Sequence, residues 1–437
     1  MCAWLCEHAE KTIDVQYFIF STDNVGLIAC DYLVRAADRG VKVRVILDDV
    51  NVDAGTHDIL ALDAHENISI KIYNPGTNIG KNIFQKLHKL ATDFRGANQR
   101  MHNKTFTVDG KVVITGGRNI ADEYFDFDHD YNFRDRHVMM IGNVLPVVQK
   151  SFNDFWDSPL SSPITTLVEE PAEDVQAEDK YERLHQYACN PENFHPTVRA
   201  KIQKMPVVFQ HLNEELVWLD KITFDSDRPG KNSGKEGLSG GGLCTDSILK
   251  LFNMAKKTID IQSPYLVTTD EGNALFKAAV KRGVKVRILL NSLAASDNME
   301  AFSGYQRDRK KILETGVKLY EFRPDAAERS KMMTGEVKKK EDYTPIFGLH
   351  AKTMVVDGKL TVIGTFNLDP RSANLNTECV AIIRSKEVSQ KVLKAMEEEF
   401  KPENSWETTF KSNPDSLASK YKRVKSWTRK VIPKSIL

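Results

Sequence analysis

Two clusters built from a histidine, a lysine and an asparagine recur in this chain with identical spacing. In each cluster four residues separate the lysine from an aspartate, and six separate that aspartate from a glycine. Because the same pattern occurs twice in one chain, we predict that its members form a working site. The two sets are His102, Lys104, Asp109, Gly116-Gly117 and Asn119, and His350, Lys352, Asp357, Gly364-Thr365 and Asn367.

These residue types suit phosphodiester chemistry. Two lysines and two asparagines can neutralise and hydrogen-bond the non-bridging oxygens of a phosphate as charge builds on them. One histidine can attack phosphorus while the other protonates the leaving alkoxide, which leaves a covalent phosphohistidine for water or an alcohol to resolve. We therefore predict His102 and His350 as catalytic, with no metal and no other cofactor. The predicted phosphate-binding residues are Lys104, Lys352, Asn119 and Asn367.

The sequence leaves the roles of four carboxylates open. Asp109 and Asp357 are candidates for catalysis, but an aspartate before glycine between two strands is at least as typical of a turn. A catalytic histidine also needs a carboxylate to orient it. Asp135 and Glu378 stand at the start of apolar stretches and are candidates for that role, with a surface salt bridge as the alternative.

The elements around the clusters are also duplicated. Residues 11–19 match 257–265, and residues 39–47 match 282–290, at nearly the same offset as the histidine motifs. Each copy reads as a strand, a helix and a second strand, which predicts a βαβ crossover in a largely parallel, buried sheet. The predicted elements are Ile13–Phe20, Gly26–Arg39 and Val41–Leu47, and then Ile259–Leu266, Asn273–Arg282 and Val284–Leu290.

This repeat predicts where the catalytic groups lie. Residues i and i+2 of a strand share a face, so the histidine and lysine of each motif point the same way. Two copies related by a pseudo-twofold axis then bring all six groups into one cleft. We expect lobes at 1–157 and 208–412, an acidic, Pro- and Ser-rich linker at 158–207, and a basic tail at 413–437. The first copy lacks the counterpart of the strand-like run 215–224, so we expect a missing N-terminal strand or a start further upstream.

At these residues the chain resembles the phospholipase D superfamily and, within it, the bacterial cardiolipin synthases of the C type. The resemblance implies two tandem α-β-α lobes that form a pseudo-dimer with one active site at their interface. It further implies a phosphohistidine on His102, His350 as the acid, and Asp135 and Glu378 as the orienting carboxylates. The segments that carry it are residues 100–105, 116–120, 291–295 and 364–372.

The resemblance also implies a substrate. Such enzymes transfer a phosphatidyl group to phosphatidylglycerol and so make cardiolipin, with phosphatidylglycerol or phosphatidylethanolamine as donor. A hydrolytic phospholipase D that releases phosphatidic acid uses the same residues and stays open. A nuclease of the superfamily is disfavoured, because 61 basic and 60 acidic residues leave a net charge of only +1.

A lipid substrate requires a membrane-facing surface, and the tail offers one. Apolar residues recur there at helical spacing among basic residues, with no acidic residue after Asp415. This pattern predicts a helix lying in the headgroup plane of anionic lipid, or alternatively a final helix packed on the second lobe. We therefore expect a monomer bound peripherally to the bacterial cell membrane. The predicted membrane contacts are Lys422, Arg423, Trp427, Arg429 and Lys430.

Overall fold

The protein is described by a computed structural model that covers residues 1–51, 56–76, 93–128, 130–168, 177–194, 196–235, 237–332 and 345–437. A mixed sheet forms the centre of each of two lobes. The strands in chain order are β1 (Thr12–Tyr17), β2 (Lys42–Asp48), β3 (Ile68–Tyr73), β4 (Thr105–Val108), β5 (Val112–Gly116), β6 (Tyr131–Arg134), β7 (His137–Ile141), β8 (Ser161–Pro163), β9 (Ile222–Ser226), β10 (Thr258–Gln262), β11 (Lys285–Asn291), β12 (Lys318–Phe322), β13 (Ile346–Leu349), β14 (Thr353–Val356), β15 (Leu360–Gly364), β16 (Cys379–Arg384) and β17 (Ser405–Thr408).

Helices cover the sheets and form the tail. In chain order they are α1 (Cys2–His8), α2 (Asn24–Asp38), α3 (Thr56–Asp63), α4 (Phe94–Asn98), α5 (Leu145–Trp156), α6 (Ala177–Cys189), α7 (Pro196–Gln203), α8 (Met205–Glu215), α9 (Leu243–Met254), α10 (Asp270–Lys281), α11 (Met299–Glu314), α12 (Arg329–Met332), α13 (Pro370–Asn374), α14 (Lys386–Glu399) and α15 (Lys420–Arg429). Short 3₁₀ turns occupy Asp49–Asn51, Asp122–Tyr124, Ile164–Thr166, Pro414–Leu417 and Lys434–Ile436.

The two sheets share one topology. The first lobe orders its strands β7-β5-β4-β1-β2-β3-β8, and the second β17-β12-β11-β10-β14-β15-β16-β9. In both lobes three central strands run parallel, and the strand that follows the histidine motif pairs antiparallel with the first of them. The predicted βαβ repeat, two α/β lobes and duplicated fold are confirmed, but the expectation of a largely parallel sheet is wrong, because each sheet has only two parallel strand pairs and its other pairs are antiparallel.

The central strands are buried on both faces. In β1, Ile13 and Val15 pack into the apolar core, while the alternating Asp14 is also buried and pairs with Arg44 of β2, Nε to Oδ1, at 2.8 Å. The second lobe repeats this ion pair between Asp260 and Arg287 at 2.6 Å. A buried carboxylate needs such a partner, so the duplicated pair holds the same parallel register in both sheets.

The lobes join through backbone pairing and a shared apolar core. Strand β6 of the first lobe runs parallel with β13 of the second, and Met101 bridges to Thr377. The shared core buries side chains of both lobes, namely Val113, Met140, Val144, Leu145, Val148, Phe224, Cys379 and Ala381. Both contacts lie next to the histidine motifs, so the interface positions the site.

In its described part, much of the predicted linker at 158–207 packs on the first lobe. Strand β8 extends the first sheet beside β3, and Tyr181 of α6 donates its hydroxyl to the carbonyl of Ala61 at 2.8 Å. Even α8 contacts this lobe, because Phe209 packs against Trp4 with ring centroids 4.6 Å apart. The strand predicted from residue 215 begins only at Ile222. Residues 169–176, the most acidic part of the expected linker, lie outside the described residues.

Candidate active site

Both histidine motifs sit where the chain enters a central antiparallel strand, His102 before β4 and His350 before β14. All four histidine and lysine side chains are buried. Each lysine ammonium donates to the carbonyl of its own motif's histidine, at 2.8 Å for Lys104 and 2.7 Å for Lys352. The two lysines therefore lie directly beside the two imidazoles, as the i, i+2 spacing predicts.

Each histidine takes its carboxylate from the other lobe. Nδ1 of His102 lies 2.8 Å from Oε2 of Glu378, and Nδ1 of His350 lies 2.7 Å from Oδ2 of Asp135. The carboxylates thus fix the orientation of both rings, and Nε2 of His350 lies 2.9 Å from the Lys352 ammonium. Both are predicted orienting residues, but only the tertiary structure shows that each one contacts the histidine of the other lobe.

Backbone pairing across the interface sets up this exchange. The His102 N–H donates to the carbonyl of Thr377 at 3.0 Å, and the His350 N–H donates to that of Arg134 at 2.8 Å. Each acceptor immediately precedes an orienting carboxylate in the chain. These two backbone hydrogen bonds are related by the pseudo-twofold axis. One places His102 beside Glu378, and the other places His350 beside Asp135.

Both imidazoles open into one cavity of about 530 Å³. The residues that line it come from both lobes and from the C-terminal segment: Phe18, Ile19, His102, Asn119, Tyr124, Tyr265, Asp297, Asn298, Glu300, Ala301, His350, Asn367, Asp369, Arg371, Asn376, Ile432, Ile436 and Leu437. The predicted single cleft between the lobes is therefore present.

The two predicted asparagines differ in their surroundings. Asn119 accepts the Ile19 N–H at 3.1 Å and donates to the Tyr124 hydroxyl at 2.8 Å, so both ends of its amide are engaged. The side-chain oxygen of Asn367 is buried and has no hydrogen-bond partner among the described residues. Since a buried polar atom without a partner is costly, the Asn367 oxygen, a hydrogen-bond acceptor, would gain from a donor group of a ligand.

Burial and the nearby lysine charges shift the pKa values of the histidines and lysines in the site. Burial, together with the charges of Lys104 and Lys352, lowers the pKa of His102 well below its usual range, and burial beside Lys352 lowers the pKa of His350 to about 4. Burial likewise lowers the pKa of Lys104 to about 7 and that of Lys352 to about 8. Both imidazoles are therefore neutral near neutral pH in the free protein.

The two orienting carboxylates are not equivalent. Burial raises the pKa of Glu378 to about 7. Burial also acts to raise the pKa of Asp135, but its hydrogen bond to His350 and the charges of His350 and Lys352 outweigh this and lower it. Asp135 is thus an anion at neutral pH, so His350 is the histidine whose imidazolium form has the stronger support.

Asp109 and Asp357, predicted as candidate catalytic residues, are turn residues in this structure. Oδ1 of Asp109 accepts the N–H groups of Lys11 and Thr12 at 2.7 and 2.9 Å, and Asp357 repeats the pattern in the second lobe. Both have left-handed φ values, 53° and 52°. Neither lines the cavity, so the placement supports the turn interpretation.

Several neighbours of the histidines were given no role by the sequence analysis. Phe18 presents an edge-to-face contact to His102 and Tyr124 one to His350, each with ring centroids 5.1 Å apart. The Thr365 hydroxyl donates to Glu378. A Cβ on Gly117 would lie 2.4 Å from Oδ1 of Asp135, so glycine there leaves room for the carboxylate. Thr365 and Gly117 lie inside the repeated motif, and this repetition is the feature of the sequence that could have indicated their roles.

The tail forms a helix that packs on the second lobe with its apolar residues outward. Tyr421, Val424 and Trp427 are 71%, 63% and 70% exposed. The Lys422 ammonium instead donates to the carbonyls of Ala294 and Ser296, both at 2.8 Å.

Two predicted membrane contacts are therefore used within the protein. Lys422 faces the second lobe, and Arg429 pairs with Glu300 at 3.0 Å. Arg423 and Trp427 remain exposed, and Lys430 is half-buried. Over the described residues, none of the helices is both long and apolar enough to span a bilayer.

The chain matches one family model over most of its length and is similar in sequence to bacterial proteins. The family model described as "Cardiolipin synthase, PLD-like domain" matches residues 5–156 and 248–400. Cardiolipin synthase C of Escherichia coli strain K12 is 38% identical over 392 residues, 88% of this chain and 79% of that protein. An uncharacterized protein of Helicobacter pylori strain J99 is 33% identical over 393 residues, 89% of this chain and 74% of that protein.

A solved structure shares the architecture. Phosphatidylserine synthase from Haemophilus influenzae Rd KW20 superposes with a TM-score of 0.62 at 14% identity, over 100% of this chain and 92% of that one. At that identity the likeness concerns the fold.

Proposed function

This chain belongs to the phospholipase D superfamily, in the cardiolipin synthase PLD-like domain family, and we propose that it is a phosphatidyltransferase that makes cardiolipin. One observation carries the proposal: two histidines from different lobes share one cavity, each hydrogen-bonded at Nδ1 to a carboxylate of the other lobe. That arrangement suits a two-step transfer through a covalent intermediate.

In the first step Nε2 of His102 attacks the phosphorus of a donor phospholipid. The P–N bond forms as the P–O bond to the headgroup breaks, and the departing alkoxide takes a proton from His350. Lys104, Lys352 and Asn367 hold the non-bridging oxygens as their charge increases. The low pKa of His102 supports its role as nucleophile, because only a neutral imidazole has a free electron pair.

Binding of the donor phosphate changes the charge balance around His350. The Lys352 ammonium lies 2.9 Å from both ring nitrogens of His350. An incoming phosphate anion favours the cationic form of His350, as does ionised Asp135. Binding of the donor thus prepares His350 as the acid, which supports the assignment of His102 as nucleophile and His350 as acid.

In the second step the headgroup hydroxyl of phosphatidylglycerol attacks the phosphohistidine. Neutral His350 now accepts the hydroxyl proton, the new P–O bond forms, and the P–N bond to His102 breaks. The product is cardiolipin, and the free His102 is restored. Water in place of the lipid alcohol would give phosphatidic acid, the product of the hydrolytic alternative.

The exposed face of α15 is the proposed membrane contact. Three apolar side chains project outward beside exposed Arg423, which suits a helix lying in anionic headgroups. The chain continues directly from this helix into Ile432 and Ile436, which line the active-site cavity. Peripheral attachment through α15 therefore brings the cavity close to the bilayer that supplies its substrates.

The test is a lipid product assay by mass spectrometry. Purified protein is given phosphatidylglycerol vesicles with and without phosphatidylethanolamine, beside His102→Ala as the matched inactive control. Cardiolipin from the wild type alone is the expected result, and a requirement for phosphatidylethanolamine would identify the donor. Phosphatidic acid without cardiolipin would overturn the proposal in favour of a hydrolase, and no lipid product at all would overturn both.

A further inference from the structure

The cavity wall contains a half-buried cation that the two-histidine chemistry does not use. Arg371 lies in α13, and its guanidinium donates to Oδ1 and the carbonyl of Asn98 at 3.1 and 3.3 Å and to the carbonyl of Ile436 at 3.1 Å. All three acceptors are neutral. Among the described residues, none of the ion pairs within 4.0 Å includes Arg371.

An unpaired cation in this position is costly. Burial lowers the pKa of Arg371. The charges of Asp369 and Asp48 act on Arg371 from beyond ion-pair distance, and the Asp369 carboxylate accepts the Ser372 N–H at 2.7 Å as the cap of α13. A half-buried guanidinium that donates to carbonyl and amide oxygens gains most from an anion, and phosphate is the anion that its planar fork of donors fits well.

Arg371 also breaks the pseudo-twofold symmetry of the site. The histidine motifs repeat at an offset of 248 residues, which pairs Arg371 with Glu123 of the first lobe. Glu123 does not line the cavity, whereas Arg371 does. The duplicated lysines and asparagines account for one phosphate near the axis, and Arg371 is an additional cation on one side of it.

We propose that Arg371 binds the phosphate of the acceptor phospholipid while the donor phosphate is held between the two histidines. This inference rests on the proposed phosphatidyl transfer. When the acceptor phospholipid binds, the site must hold two phosphate anions at once, the phosphatidyl group on His102 and the phosphodiester of the acceptor, whereas water or a simple alcohol brings no second phosphate. Arg371 is therefore a residue that favours phosphatidylglycerol over water as acceptor.

A competition between acceptors tests this. Phosphatidylglycerol vesicles containing ethanol yield cardiolipin and phosphatidylethanol from the same phosphohistidine, so their ratio depends on the acceptor and not on the donor step. In Arg371→Gln we expect the ratio of cardiolipin to phosphatidylethanol to fall about tenfold or more, as for loss of a charge-assisted hydrogen bond. Phosphatidic acid should rise relative to cardiolipin, and Arg371→Lys should give an intermediate ratio.

Asn98→Ala separates binding from a structural role. This variant removes the side-chain partner that Arg371 holds in the first lobe but keeps the guanidinium, so we expect a product ratio close to wild type. Equal loss of all products in Arg371→Gln with an unchanged ratio, or an Asn98→Ala ratio as low as that of Arg371→Gln, would overturn the inference. A wild type that makes neither cardiolipin nor phosphatidylethanol would instead overturn the proposed function.

Discussion

Nδ1 of His102 lies 2.8 Å from Oε2 of Glu378, a residue 276 positions further along the chain and in the other lobe. The pair His350 and Asp135 repeats this relationship in reverse at 2.7 Å, across 215 positions. Each lobe therefore supplies the histidine of one half-site and the carboxylate of the other. Neither of these two pairs is complete within one lobe.

The first prediction concerns this exchange. Asp135→Asn and Glu378→Gln keep the size of each side chain but remove the charge that orients and supports the imidazole. We expect kcat to fall about 100-fold or more in each, since a positioned acid–base group contributes about 10²–10⁴-fold. Steady-state rates of lipid product formation measure this.

Double variants make that prediction specific. Because Asp135 acts through His350, Asp135→Asn should cause little further loss of the first step in a His350→Ala background, whereas Glu378→Gln, which acts through His102, should cause its full loss there. Additive losses for Asp135→Asn and His350→Ala would contradict the cross-lobe assignment.

The second prediction separates the two histidines. A phosphatidyl ester with a p-nitrophenol leaving group needs no acid, so His350→Ala should release one equivalent of p-nitrophenol and then stall, because it lacks the base for the second step. Intact-protein and peptide mass spectrometry should find the phosphatidyl adduct on His102. An adduct on His350 in the His102→Ala variant would reverse the assignment.

The third prediction concerns pH. A lysine binds phosphate as an ammonium, which is present below its pKa and lost as the pH rises through it. With the pKa of Lys104 at about 7 and that of Lys352 at about 8, kcat/KM should decline on the alkaline side from about pH 7. Lys104→Arg stays charged, so the decline should move up to about pH 8, where Lys352 deprotonates, even if the maximum rate is lower.

Lys111→Arg is the matched control for that profile. Lys111 is exposed and pairs with Glu10 at 3.2 Å, away from the cavity, so its replacement should leave the midpoint unchanged. A midpoint that stays at about pH 7 in Lys104→Arg would show that another group sets the alkaline decline.

The fourth prediction concerns the motif aspartates. Asp109→Ala removes a carboxylate that accepts backbone N–H groups in the segment Glu10–Thr12 and places alanine at a φ of 53°. We expect the melting temperature to fall by about 2–6 °C while kcat per folded molecule stays within about twofold of wild type. Asp109→Asn tolerates that backbone better and should lose less. A 100-fold loss of kcat at an unchanged melting temperature would instead indicate a catalytic role.

The fifth prediction concerns the membrane surface. Trp427→Ala should weaken binding to anionic vesicles about tenfold, because a large apolar side chain no longer enters the headgroup layer. Phe410, which is also an exposed aromatic residue at 64% but lies outside α15, provides the control variant Phe410→Ala. Vesicle sedimentation measures both, and equal binding by wild type and Trp427→Ala would argue against the proposed surface.

Much of this protein could be predicted from the sequence because the relevant information is local or repeated. The alternation of apolar residues specifies the parallel strands, and the duplication of the motif at one offset specifies two lobes and both histidine–lysine pairs. Asp-Gly at the hairpins likewise indicates turns, and the structure places Asp109 and Asp357 there.

The tertiary structure decided what depends on contacts across the interface. Residues 276 positions apart carry no local signal of their pairing, so only the packing of β6 on β13 and the bridge from Met101 to Thr377 assign Glu378 to His102 and Asp135 to His350. Burial also depends on distant parts of the chain. It lowers the pKa values of the histidines so that they are neutral, while Asp135 stays ionised. It also depends on packing that Lys422 contacts the second lobe while Trp427 is exposed. The sequence by itself determined which groups are present in duplicate, and folding determined which of them meet, because a side chain's partners and charge depend on what surrounds it in space.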